Sequence, residues 1–144
     1  MYRVTKNMPV FKDSEQLEKV LYNFFILIAN KKEIGTKLTA HKSILKFNYT
    51  DPELSITIDA SKLEKPEVFL NSGEVEPEIE LWMSADTAHK FWLGKVNLVM
   101  AITKKDIVVK GSVPKLLMLL PVIMPAYKMY SEYLKENNYQ EILG

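Results

Sequence analysis

The sequence predicts an α+β fold: one mostly antiparallel, five-stranded sheet covered on one face by helices. Two runs with alternating side chains, "SILKFNYT" and "ELSITIDA", flank Thr50-Asp51-Pro52-Glu53 and read as a hairpin. Three more runs, "PEVFLNSG", "PEIELWMS" and "DIVVKG", alternate in the same manner. Helical periodicity stands before, between and after them. The order helix, four strands, two helices, strand, helix is that of an α+β domain.

Taken in order, Ser14 is expected to cap a first helix over about 14–31, with Leu17, Val20, Leu21, Phe24, Phe25 and Ile28 at helical spacing. "KKEIGTKLTAHKS" suggests a broken helical turn before the sheet. In the second strand Leu54, Ile56 and Ile58 share one face, as a half-buried antiparallel strand requires. In the fourth, Ile79, Leu81 and Met83 do the same. Ser84 is placed to cap the helix "ADTAHKFWLG", which Gly94 closes from the C′ position. "KVNLVMAITKK" is a short helix. Ile107 and Val109 oppose Val108 and Lys110 in the fifth strand. Gly111 then turns the chain toward Pro114 in a first helical turn, and "AYKMYSEYLKENN" forms a last helix to about Asn137.

Composition excludes several functions. The chain has 144 residues, 47% apolar and 26% charged, which suits one soluble domain. Net charge is +1, and Arg3 is the sole arginine, so bidentate recognition of phosphates or base edges has little to work with. Nucleic acid is not an expected partner. With no cysteine, disulfides, thiolate metal sites and cysteine nucleophiles are impossible. The start shows no signal-peptide pattern and the end no targeting tag, so a cytoplasmic protein is expected.

No catalytic apparatus is legible. His41 and His89 stand far apart and outside any two-histidine ligand spacing; His89, three residues after Asp86, reads as part of a solvated helix face. Glu74, Glu76, Glu78 and Glu80 alternate and read as a solvated strand face that discourages edge pairing. There is no GxSxG and no glycine-rich phosphate loop. No catalytic residue, metal or cofactor is expected.

The apolar excess lies near the end, in "GSVPKLLMLLPVIMPAYKMY". From Leu116 to Ala126 no side chain is polar, and Pro121 and Pro125 interrupt the run. A membrane span needs about 20 apolar residues, so this is not one. Phe91 and Trp92, then Val99 and Met100, then Leu116, Leu117, Leu120, Ile123 and Met124 form successive apolar stripes. Such stripes suit a core or the wall of an apolar pocket; recurring methionines and helix-disturbing prolines favour the pocket.

The stretch "PEIELWMSADTAHKFWLGKVNLVMAITKKDIVVKGSVPKLLMLL" resembles the signature half of the sterol carrier protein type 2 family. An acidic strand enters a helix, a Gly94-Lys95 step and a short helix follow, then a basic strand ending in Lys110-Gly111, then an apolar helix. The resemblance implies a twisted five-stranded sheet with helices on one face and an apolar tunnel between them. It also implies non-enzymatic binding of fatty acid, fatty acyl-CoA, sterol or a similar lipid. Family members commonly carry a glycine just before the basic strand, where this chain has Thr103-Lys104-Lys105-Asp106.

The expectation is therefore one lipid-binding domain over residues 1–144, with 121–144 a C-terminal helical extension. Its ligand wall is expected at Phe91, Trp92, Val99, Met100, Leu116, Leu117, Leu120, Ile123 and Met124. Lys90, Lys95 and Lys115 are candidates to meet a charged head at the rim, and transient membrane contact fits the same reading. The alternative is an interaction or accessory module, in which Tyr127, Tyr130, Tyr133 and Leu134 pack the C-terminal helices against a second copy.

Overall fold

The computed structural model describes residues 9–62 and 64–143; residues 1–8, with Arg3, lie outside the described residues, as do Leu63 and Gly144. The first helix, α1, is one run made of Ser14–Leu17, a π-helical Glu18–Tyr22 and Asn23–Ala29. Its cap falls one residue earlier than expected. The Asp13 carboxylate accepts from the Gln16 N–H at 2.9 Å, and the Ser14 hydroxyl instead donates to the Glu53 carbonyl at 2.7 Å. Helix α2, Lys32–Ala40, replaces the expected broken turn. Ile34 and Leu38, four residues apart, bury one side of it, which is enough to hold a helix whose other positions are mostly polar.

Strands β1 (Ile44–Thr50), β2 (Leu54–Asp59), β3 (Glu67–Leu70), β4 (Ile79–Ser84) and β5 (Ile107–Lys110) form one sheet in the order β3-β2-β1-β4-β5. All neighbours are antiparallel except β1 and β4, which are parallel. Register sets the buried face. Phe47 lies opposite Ile56 on one side and Leu81 on the other; Tyr49 lies between Leu54 and Met83. These side chains are all buried against the helices, so the alternation read in β2 and β4 marks the core face correctly. On the other face, the Glu80 carboxylate accepts from the Asn48 amide at 3.0 Å.

Helix α3, Ala85–Trp92, starts where the Ser84 hydroxyl accepts from the Thr87 N–H. It ends in a Schellman motif: the Gly94 N–H reaches the Phe91 carbonyl at 2.9 Å and the Lys95 N–H reaches Lys90 at 2.9 Å. Gly94 has φ +78°, the left-handed conformation glycine adopts without cost. Helix α4, Leu98–Thr103, is capped by Asn97. After β5, Gly111 has φ +117°, and a Cβ there would stand 2.7 Å from the Glu78 carbonyl oxygen. That position turns the chain into α5, Val113–Ile123, capped by the Ser112 hydroxyl on the Lys115 N–H.

Helix α6, Pro125–Glu136, follows α5 directly, and a short α7, Gln140–Leu143, was not anticipated. The aromatic stripe of α6 lies inside the chain. Tyr130 and Leu134 are fully buried, and Tyr130 meets the Phe24 ring at 4.8 Å. The Tyr133 hydroxyl donates to the Val20 carbonyl at 2.8 Å, within the π-helical stretch of α1. Packing within the chain thus takes up Tyr130, Tyr133 and Leu134 of the stripe that the alternative reading assigned to a second copy, while Tyr127 is half-buried beside the Phe91 ring at 5.6 Å.

Candidate binding cavity

The alternating strands make the floor of a cavity and the apolar stretch its roof. Leu45, Phe47 and Tyr49 rise from β1, with Leu81 and Met83 beside them on β4. Leu116, Leu119, Leu120 and Ile123 descend from α5, at positions that recur on one side of a helix. Phe91 and Trp92 of α3 and Leu98 of α4 also contribute to the wall. No charged side chain lines it among the described residues. The enclosed cavity has a volume of about 40 Å³. That is room for a few waters or methylenes before any ligand enters. A full acyl chain fits only if the roof moves.

Five of the nine expected wall residues stand on the cavity: Phe91, Trp92, Leu116, Leu120 and Ile123. Val99, Met100 and Met124 are 50–55% exposed, and Leu117 is half-buried off the cavity wall. The reason is helical phase. On α4 the buried positions are Leu98 and Ala101, which leaves Val99 and Met100 on the solvent side. Leu119, which is not in the stripe read from sequence, is only 1% exposed and belongs to the wall. Apolar helical stripes carry no signal for the floor residues, although the strand alternation marks Leu81 and Met83 as sharing one face.

Lys115, expected at a rim, holds Glu78 through both carboxylate oxygens at 2.9 and 2.7 Å. Lys90 is exposed. His89 corrects the solvated reading. It is 3% exposed, and its Nδ1 lies 2.8 Å from the Tyr130 hydroxyl. Burial depresses its pKa, as do Lys95 and Lys90 more weakly, while a hydrogen bond to the Ile142 backbone and the Asp86 carboxylate act the other way. The Asp86 carboxylate itself accepts from the Val10 N–H at 2.9 Å. Burial likewise raises the pKa of Tyr130, whose hydroxyl therefore stays protonated.

Tyr49 differs from these bonded groups. It is 3% exposed, and its hydroxyl has no hydrogen-bond partner among the described residues. Burying a hydroxyl that way costs about 1–3 kcal/mol. Desolvation holds its pKa well above the ordinary tyrosine value. No group of three or more histidine, cysteine or acidic side chains suited to a metal occurs among the described residues.

Sheet, helical roof and uncharged interior together define an α+β domain with an apolar cavity between its layers. The chain belongs to the SCP-2 sterol transfer family, whose profile matches residues 25–123. Solved structures share the fold at low sequence identity. The apo sterol carrier protein 2 of Yarrowia lipolytica is 21% identical, with TM-score 0.51 over 69% of this chain and 76% of that one. A sterol carrier protein domain of Helicoverpa armigera is 21% identical, with TM-score 0.59 over 74% and 87%. The sec-alkylsulfatase Pisa1 of a Pseudomonas species is 18% identical, with TM-score 0.58 over 69% of this chain but 15% of that enzyme. Among curated proteins no significant match is found.

Proposed function

We propose that this chain binds a lipid between α5 and the sheet and carries it without chemical change. The observation that supports this most directly is an uncharged cavity roofed by a helix that also shows apolar side chains to solvent. Burying hydrocarbon gains roughly 0.8 kcal/mol per methylene. Twelve carbons thus gain about 9 kcal/mol, from which association and the widening of the cavity must be subtracted. Micromolar affinity with loose chain selectivity follows. Phe91, Trp92, Leu116, Leu120 and Ile123 are the proposed contacts. The whole chain acts as one unit on this reading, because residues 124–143 share its core through Ala126, Tyr130, Leu134 and Ile142.

Leu120→Glu tests the site. Leu120 lines the cavity and is only partly buried, so a carboxylate there can be tolerated by the fold while opposing an apolar ligand. The expected result is at least about a tenfold loss of fluorescent fatty-acid affinity with unchanged circular dichroism. Undiminished affinity in the folded variant removes the cavity as the site. A second reading, an interface or accessory module, draws support from Met118 and Met124, which are 58% and 50% exposed on the roof region. Native mass spectrometry separates the two. Co-purifying lipid favours carriage, whereas an obligate dimer free of lipid and without fatty-acid affinity favours the interface.

A further inference from the structure

The cavity gives an occupant nothing to hydrogen-bond. No polar atom faces the space, and Tyr49 contributes its ring rather than its hydroxyl. Burying a hydroxyl, carboxylate or ammonium without a partner is unfavourable, most of all when the group is charged. The same wall shows where a polar group can keep its water. Every side chain on it is buried except Leu120 and Ile123, which are half-buried. These two stand about one turn apart on α5, and Pro121 and Met124 beside them are exposed. The cavity therefore meets the surface along the second half of α5, where Pro121 lacks the N–H that would tie it to the preceding turn.

We propose that the site takes a single-chain amphiphile tail first, through a mouth at Leu120 and Ile123, and leaves the head in solvent whatever its charge. This rests on the lipid-binding reading above and names its substrate class. About 40 Å³ is open before a ligand enters, so the rest of the room comes from movement of α5 and of the side chains beneath it. A linear chain needs only the width of a methylene and turns about its own bonds. Small shifts of flexible residues such as Met83 admit it. Fused sterol rings need their full width at once. Raising α5 that far pulls Leu116, Leu119 and Val122, the residues that hold it down, out of a close-packed interior. Head chemistry adds little to affinity, because a head at the mouth stays hydrated.

The test is displacement of cis-parinaric acid, a linear fluorescent fatty acid, by dodecanol, dodecanoate and dodecyltrimethylammonium below their micelle concentrations. The three affinities are expected to agree within about fivefold. Dehydroergosterol, a fluorescent sterol, is expected to bind at least about tenfold more weakly than dodecanol. Orientation is read from charge placed beside the mouth at Met124, which is exposed and one turn beyond Leu120. The ratio of dodecanoate to dodecyltrimethylammonium affinity is expected to be about tenfold higher in Met124→Lys than in Met124→Glu, with dodecanol unchanged. Thermal unfolding near the wild-type temperature confirms that both variants are folded. Wild type that binds dodecanol but neither charged competitor, or a ratio equal in the two folded variants, overturns the orientation. Sterol bound as tightly as dodecanol overturns the single-chain class. Either result leaves lipid carriage intact. If wild type binds neither parinaric acid, dodecanol nor sterol, the lipid reading itself fails and this one with it.

Discussion

Lys105 has φ +66°, a conformation that costs a residue with a side chain about 1–2 kcal/mol. Its N–H reaches the Ile102 carbonyl and the Asp106 N–H reaches Ala101, which repeats behind α4 the Schellman closure that Gly94 makes behind α3. Lysine thus occupies a position where glycine would sit without strain. Glycine's greater entropy loss offsets part of the gain. Lys105→Gly is therefore expected to raise stability by about 0.5–1 kcal/mol, read from the urea midpoint at unchanged slope. A lowered midpoint would show that the lysine side chain contributes more than its backbone costs. Gly94 was legible from sequence because glycine advertises such a turn. Lys105 was not, and neither was His89, whose surroundings come from Tyr130 forty-one residues further along. Periodicity identifies the faces of a helix but not what packs on each.

Among the elements, α5 is the one whose stability decides access to the cavity. Pro121 stands within it and has no N–H to return to the preceding turn. Leu116, Leu119 and Val122 are buried, whereas Met118 and Pro121 meet solvent. The floor is held differently, since β1 and β4 each have bonded neighbours on both sides. Local opening follows such differences in support. Amide exchange in α5 is expected to run faster than in β1 and β4, and saturating ligand to slow it by about tenfold or more. Equal protection of roof and floor, unchanged by ligand, would argue against entry beneath α5. Sequence located this helix through its apolar run and its prolines. It could not separate the roof residues Leu116, Leu120 and Ile123 from Met124, because an almost wholly apolar helix offers no polar face to fix its phase. In α2 the difficulty was the reverse: two large apolar residues among lysines and threonines gave too weak a stripe to be read as a helix.

At the scale of the whole molecule, the near-neutral net charge conceals an uneven distribution. Residues 90–130 contain Lys90, Lys95, Lys104, Lys105, Lys110, Lys115 and Lys128 against one acidic residue, Asp106, so the rest of the chain is net acidic. The same span carries Val99, Met100, Met118 and Met124, all at least half exposed. No helix among the described residues is long and apolar enough to cross a membrane. A segment rich in exposed lysines such as Lys90, Lys104 and Lys128, with exposed apolar side chains among them, instead suits reversible contact with an anionic bilayer from which a lipid is taken or to which it is given. Each lysine near such a surface contributes about 1 kcal/mol, and the attraction fades within a Debye length. Co-sedimentation with phosphatidylglycerol vesicles is expected to exceed that with phosphatidylcholine vesicles and to weaken steeply with added salt. Reversing two exposed charges, Lys104→Glu with Lys128→Glu, should cost at least about 30-fold in vesicle affinity, corresponding to about 2 kcal/mol. Dodecanol affinity should stay the same, because neither lysine lines the cavity. Equal binding to both vesicle types, or binding untouched by salt and by the reversal, would mean that these lysines play no part in lipid exchange. The cavity would then have to fill from solution, at rates set by the scarce free lipid.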